Sequence, residues 1–120
     1  MAKILIVDDS DNIRMTLRLT LGFKGHEVVE AENGQEAIAE LQRHKFDMVF
    51  CDLAMPGVSG QEVIRKAREE MGLKDLPIVV LSAEAREVKS KALTVGATDF
   101  IDKPFAPEQI FDAVARWLKP

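Results

Sequence analysis

The sequence predicts an α/β domain, with five strands in a parallel, doubly wound sheet and helices on both faces. Three observations predict it. Short continuous aliphatic runs recur along the chain, amphipathic stretches of helical period separate them, and glycines, prolines and capping pairs punctuate the joins. Such runs read as strands buried on both faces, because a strand covered above and below has no polar side. Strand and helix in alternation then imply right-handed crossovers, which send helices to both faces.

The elements follow in order. Ile4-Leu5-Ile6-Val7 gives the first strand, and Ile13, Leu17 and Leu21 at four-residue spacing give the first helix, closed by Gly22. A weaker Val28-Val29 segment gives the second strand. Ala37, Ile38 and Leu41 give the second helix, with Asn33 and Glu36 at capping-box spacing. Met48-Val49-Phe50-Cys51 is the third strand; Val63, Ile64, Ala67 and Met71 form the third helix, opened by Ser59 with Glu62 and closed by Gly72. Ile78-Val79-Val80-Leu81 is the fourth strand, and Ala85, Val88, Ala92, Leu93 and Val95 the fourth helix, closed by Gly96. Phe100-Ile101 is the fifth strand. Ile110, Phe111, Val114, Trp117 and Leu118 make the clearest helical stripe, with Pro107 in its first turn.

Bulk properties bound the function. At 120 residues, 47% apolar and 30% charged, residues 1–120 are expected to form a single domain with a real core. A net charge of -4 argues against a nucleic-acid surface. The apolar runs fall far short of the roughly 20 residues that a membrane span needs, and no basic-then-apolar leader opens the chain. Cys51 is the only cysteine, so no internal disulfide forms, which fits a reducing cytoplasm. His26 and His44 are isolated and are expected at the surface, and the methionines show no metal-ligand pattern.

The residues that end the strands are more specific. The first strand ends in Asp8-Asp9, the third in Asp52, the fourth in Ser82 and the fifth in Asp102-Lys103-Pro104. In a doubly wound sheet these tips share one edge, where ligands bind. Each residue alone has a plainer reading: Asp8-Asp9 as helix-starting acids, Asp52 as a turn, Ser82 as a cap and Lys103 as a solvated lysine. Together, three carboxylates, a hydroxyl and an ammonium make a site. Clustered carboxylates repel unless a cation enters. Mg²⁺ accepts carboxylate and phosphate oxygens and keeps several waters. A carboxylate can also form an aspartyl-phosphate, a transfer that needs alignment and charge neutralisation.

Four segments resemble the receiver domain of bacterial two-component response regulators. They are Ile4–Asp9, VFCDLAMPGVSG over Val49–Gly60, IVVLSA over Ile78–Ala83, and GATDFIDKPF over Gly96–Phe105. The resemblance covers nearly the whole chain. It implies a (βα)5 flavodoxin-like fold with strand order 2-1-3-4-5. It also implies Asp52 as phosphoacceptor, Asp9 as direct Mg²⁺ ligand with Asp8 acting mainly through water, and the Ala54 backbone carbonyl as a further ligand. Ser82 and Lys103 would contact the phosphoryl group, the Lys103-Pro104 peptide would be cis, and Phe100 would be the aromatic switch, here without a hydroxyl. Ala54 and Glu84 would tune dephosphorylation. Implied partners are a histidine kinase or histidine phosphotransfer protein and a downstream target bound through the fourth helix, fifth strand and fifth helix. The implied state is a cytoplasmic monomer, with a dimer as the alternative, in a setting such as chemotaxis. It would bind no nucleic acid directly and catalyse only its own Mg²⁺-dependent phosphorylation and dephosphorylation.

Three other functions fit the residues less well. A haloacid-dehalogenase-type hydrolase needs an acid two residues after its nucleophile, where Ala54 stands. A flavodoxin-like nucleotide module needs a phosphate cradle, yet the chain has neither GxGxxG nor a Walker motif. A bare interaction scaffold gives no reason to keep repelling carboxylates together.

Overall fold

The computed structural model describes residues 2–83 and 96–118. Five parallel strands form one sheet: β1 (Lys3–Val7), β2 (Glu27–Ala31), β3 (Met48–Asp52), β4 (Ile78–Ser82) and β5 (Asp99–Asp102). Their order is β2-β1-β3-β4-β5, as the resemblance implies. β1, β3 and β4 lie inside the sheet, and β3 and β4 are buried along their whole length. That is why these runs carry no polar alternation.

Helices α1 (Asp11–Phe23) and the C-terminal helix (Pro107–Trp117) pack on one face, over Ile4, Ile6, Met48, Phe50, Val79 and Leu81. Helices α2 (Gly34–Arg43) and α3 (Gly60–Arg65) pack on the other, over Leu5, Val7, Val49, Cys51 and Val80. The alternation of these residues between faces is the two-residue period of the strands. The expected fourth helix, at Ala85–Val95, lies outside the described residues, as does Glu84.

Local signals were met in most places. Asn33 Oδ1 accepts the Glu36 N–H at 2.8 Å and Ser59 Oγ accepts that of Glu62 at 3.2 Å. Pro107 is the first residue of its helix. Three details differ from expectation. Helix α1 runs through Gly22 to Phe23, and the left-handed residue is Gly25, at φ 83°. The chain winds on there in a tightened last turn, with the Lys24 N–H on the Leu21 carbonyl at 3.1 Å and the Gly25 N–H on the Gly22 carbonyl at 2.9 Å. The third helix widens after Arg65 into a π-helical turn, Lys66–Glu70, closed by Met71 N–H on the Lys66 carbonyl at 2.9 Å. His26 is half-buried, its Nδ1 accepting the Ala2 N–H at 3.2 Å. Among the described residues the exposed large apolar side chains are Met15, Leu19 and Phe23, spaced by four along α1.

Candidate functional site

The carboxyl ends of β1, β3, β4 and β5 meet at one edge, and the predicted residues meet with them. Oxygens of Asp8, Asp9 and Asp52 all lie within 4.8 Å of one another. Asp8 and Asp52 are buried, at 0% and 4% exposure, while Asp9 stands at the surface. An open cleft of about 680 Å³ begins at Asp9 and is bounded by Asn33, Gly57 and Val58.

Lys103 crosses to the cluster from the end of β5. Its Nζ donates to Asp8 Oδ2 at 2.8 Å and lies 3.4 Å from Asp52 Oδ2. The Lys103-Pro104 peptide is cis. Ser82 is buried at the tip of β4, one residue past Leu81, the register partner of Asp52, and its carbonyl accepts the Lys103 N–H at 2.8 Å. The Ala54 N–H donates to Asp52 Oδ1 at 3.1 Å, which sets the Ala54 backbone beside the acidic group. Phe100 is not at this edge. It pairs with Val80 in mid-strand, half-buried against the core on the α2–α3 face.

Backbone packing fixes Asp52 from below. Gly60 sits so close to β3 that a Cβ there would lie 2.1 Å from the Asp52 carbonyl oxygen and 2.7 Å from Leu53 Cα. Only glycine permits that approach. Gly34 likewise abuts Val58, where a Cβ would lie 2.3 Å from the carbonyl oxygen. These two contacts seat the loop between β3 and α3.

The charges do not balance. Burial, and then the charge of Asp8, push the Asp52 carboxyl above its ordinary range; Lys103 and the Ala54 N–H pull it back only in part. Burial pulls the Lys103 ammonium down, but the hydrogen bond and charge of Asp8, joined by Asp52, more than offset it and hold it above the ordinary lysine value. Three carboxylates facing one ammonium leave an excess of negative charge around oxygen ligands alone. A hard divalent cation fits that donor set. Cys51, fully buried behind Asp52, has its thiol pushed up by burial and stays a core residue.

Sequence reasoning missed two contributors. Ser10, not the acidic pair, caps α1, its Oγ accepting the Ile13 N–H at 3.3 Å while its own N–H donates to Asp8 Oδ1 at 2.9 Å. Arg14 is buried, and Nη1 donates to the Asp8 carbonyl at 2.7 Å. The stripe through Leu17 and Leu21 already places residue 14 inward, three positions before Leu17; only its charge hid it.

The family profile of the response regulator receiver domain matches residues 4–115. This chain belongs to the response regulator receiver family. It is 41% identical over 118 residues to the transcriptional regulatory protein ResD of Bacillus subtilis, covering 98% of this chain and 48% of that protein. It is also 41% identical over 108 residues to the phosphate regulon transcriptional regulatory protein PhoB of Pseudomonas aeruginosa, covering 89% of this chain and 47% of that one. The chain thus spans about half the length of these curated relatives. Among solved structures, the chemotaxis protein CheY4 of Vibrio cholerae superposes with a TM-score of 0.92 at 39% identity, over 98% of this chain and 99% of that one. The response regulator TrrA of Thermotoga maritima, in complex with Mg²⁺ and beryllofluoride, superposes at 0.88 with 34% identity, over 98% and 100%. Receiver domains of this family act as signalling switches. No helix among the described residues is long and apolar enough to cross a membrane.

Proposed function

We propose that residues 1–120 form a single cytoplasmic receiver domain, monomeric before phosphorylation, that accepts a phosphoryl group on Asp52. The donor is the phosphohistidine of a histidine kinase or histidine phosphotransfer protein. One observation carries this reading: Asp8, Asp9 and Asp52 converge within 4.8 Å beside the Lys103 ammonium. The Asp52 carboxylate oxygen attacks phosphorus as the phosphorus–nitrogen bond breaks, and the imidazole leaves with the electron pair. Asp8, Asp9 and Asp52, with the Ala54 carbonyl, would hold Mg²⁺. When bound, that ion neutralises charge on the phosphoryl oxygens. Lys103 supplies a second positive charge from just past β5, and the hydroxyl of Ser82, at the tip of β4, donates to one oxygen. Asp8 and Asp52 are desolvated, which strengthens every one of these interactions.

The phosphoryl group adds about two negative charges and strong acceptor oxygens. Drawing Ser82 toward it opens space for Phe100 to turn further inward, which alters the face around β5 and the C-terminal helix and so controls a target protein. Unchanged Phe100 side-chain NMR signals on adding beryllofluoride would defeat this coupling.

The assignment is tested by incubating the chain with acetyl phosphate and Mg²⁺ and measuring intact mass. One added phosphoryl group is expected, absent in Asp52→Asn and suppressed by EDTA. Equal labelling of Asp52→Asn would overturn it.

A further inference from the structure

Asp8 is held at all three of its acceptors by three different donors. Oδ1 takes the Ser10 N–H at 2.9 Å, Oδ2 takes Lys103 Nζ at 2.8 Å, and the main-chain carbonyl takes Arg14 Nη1 at 2.7 Å. Asp9 is the opposite case: it is exposed and accepts no hydrogen bond from any described residue. Its carboxylate is therefore aimed by its backbone alone. The Asp8 carbonyl belongs to the peptide that joins Asp8 to Asp9, and a peptide is planar. Whatever fixes that carbonyl fixes the plane from which Asp9 departs.

Arg14 fixes it. Its guanidinium is buried and reaches three acceptors from three places: the Asp8 carbonyl, Asp11 Oδ1 one turn back along α1, and Glu30 Oε1 on β2 at 3.3 Å. Glu30 is braced in turn by Arg18 at 2.6 Å. A planar fork with five donors suits this task; a lysine ammonium carries the charge without the fork. The same positive charge lies directly behind a turn that bears two adjacent carboxylates.

We infer that Arg14 is a positioning residue for the cation: it sets the Asp8–Asp9 peptide so that the exposed Asp9 carboxylate is presented to Mg²⁺ beside Asp8 and Asp52. This rests on the Mg²⁺-dependent reading above and assigns a role within it to a residue that touches neither cation nor phosphoryl group. Groups that orient metal ligands from behind typically govern affinity by about 10–100-fold.

The test is calorimetric titration of the unphosphorylated full chain with MgCl₂. Arg14→Ala is expected to weaken Mg²⁺ binding about tenfold, and Arg14→Lys by a smaller factor, since charge returns without the fork. With acetyl phosphate, the Mg²⁺ concentration for half-maximal labelling rises in both variants while the rate at saturating Mg²⁺ stays near wild type. A purely structural Arg14 predicts lower melting temperatures with wild-type Mg²⁺ affinity below the melt, and that result overturns the proposal. If Arg14→Ala does not fold, Arg14→Lys decides alone. Wild-type protein that binds no Mg²⁺ would refute the metal reading itself. Wild-type protein that binds, with both variants binding equally, would refute only the role of Arg14.

Discussion

The two ends of the sheet are built on opposite electrostatic plans. At the end where β4 and β5 begin, the Arg68 guanidinium donates, among the described residues, to neutral acceptors: the carbonyls of Gly96, Leu73 and Leu76 at 2.9, 2.5 and 2.7 Å, and Thr98 Oγ1 at 3.2 Å. Thr98 Oγ1 also takes the Ile78 N–H at 2.9 Å, so β4, β5 and the loop before β4 are pinned together. At the end where the strands finish, three carboxylates cluster and Lys103 reaches two of them, Asp8 and Asp52. One end satisfies loop carbonyls that would otherwise be unpaired, which stabilises. The other keeps like charges together, which destabilises unless a cation neutralises them. Stability and function are thus spent at opposite edges of one scaffold.

Substitutions at each end sharpen that contrast. The largest effect is expected from Gly60→Ala, where the new Cβ has only backbone to displace; overpacking of this kind costs about 3 kcal/mol. Urea unfolding should show the loss, and labelling of the folded fraction by acetyl phosphate should fall as well, because Asp52 is shifted. Arg68→Ala comes next, at about 2 kcal/mol from carbonyls left without a donor. Its labelling rate, measured where the protein remains folded, should equal wild type. A drop in labelling there would break the separation of the two ends.

The smallest effect carries the sign that distinguishes the acidic end. The folded state holds the Asp52 proton more tightly than the unfolded chain does. The stability from Asp52 is therefore complete below its ordinary pKa of 3.8 and is lost as pH rises from there through the raised folded value. In EDTA, the urea midpoint of Asp52→Asn should gain on wild type across that window and then level off, and Mg²⁺ should erase the gain. A difference that stays flat with pH would show that the carboxylates are already compensated.

The architecture was legible because aliphatic runs and helical stripes repeat at fixed periods, and a doubly wound sheet leaves few ways to arrange them. The site was legible because Asp8, Asp9, Asp52, Ser82 and Lys103 each stand at or just past the end of a strand, so topology alone gathers them. What stayed hidden was set by contacts across the chain. Gly60 looks like any helix-start glycine until β3 is found beneath it. Arg14 reads as a surface charge despite its place on the inward stripe, because its acceptors, the Asp8 carbonyl just past β1 and Glu30 on β2, are brought to it only by the fold. The π-helical turn has no compositional mark, since Lys66–Glu70 continues the same periodicity that forms α3.

Trp117 ends the C-terminal helix with its indole Nε1 donating to Asp99 Oδ2 at 2.7 Å, while Asp99 Oδ1 takes the N–H of Phe100. The chain holds one tryptophan and no tyrosine. Ultraviolet emission excited through indole therefore arises from a single locus, one residue removed from the aromatic ring at the middle of β5. Nature has left this molecule with its own optical gauge, hydrogen-bonded to the first residue of the strand that carries Phe100.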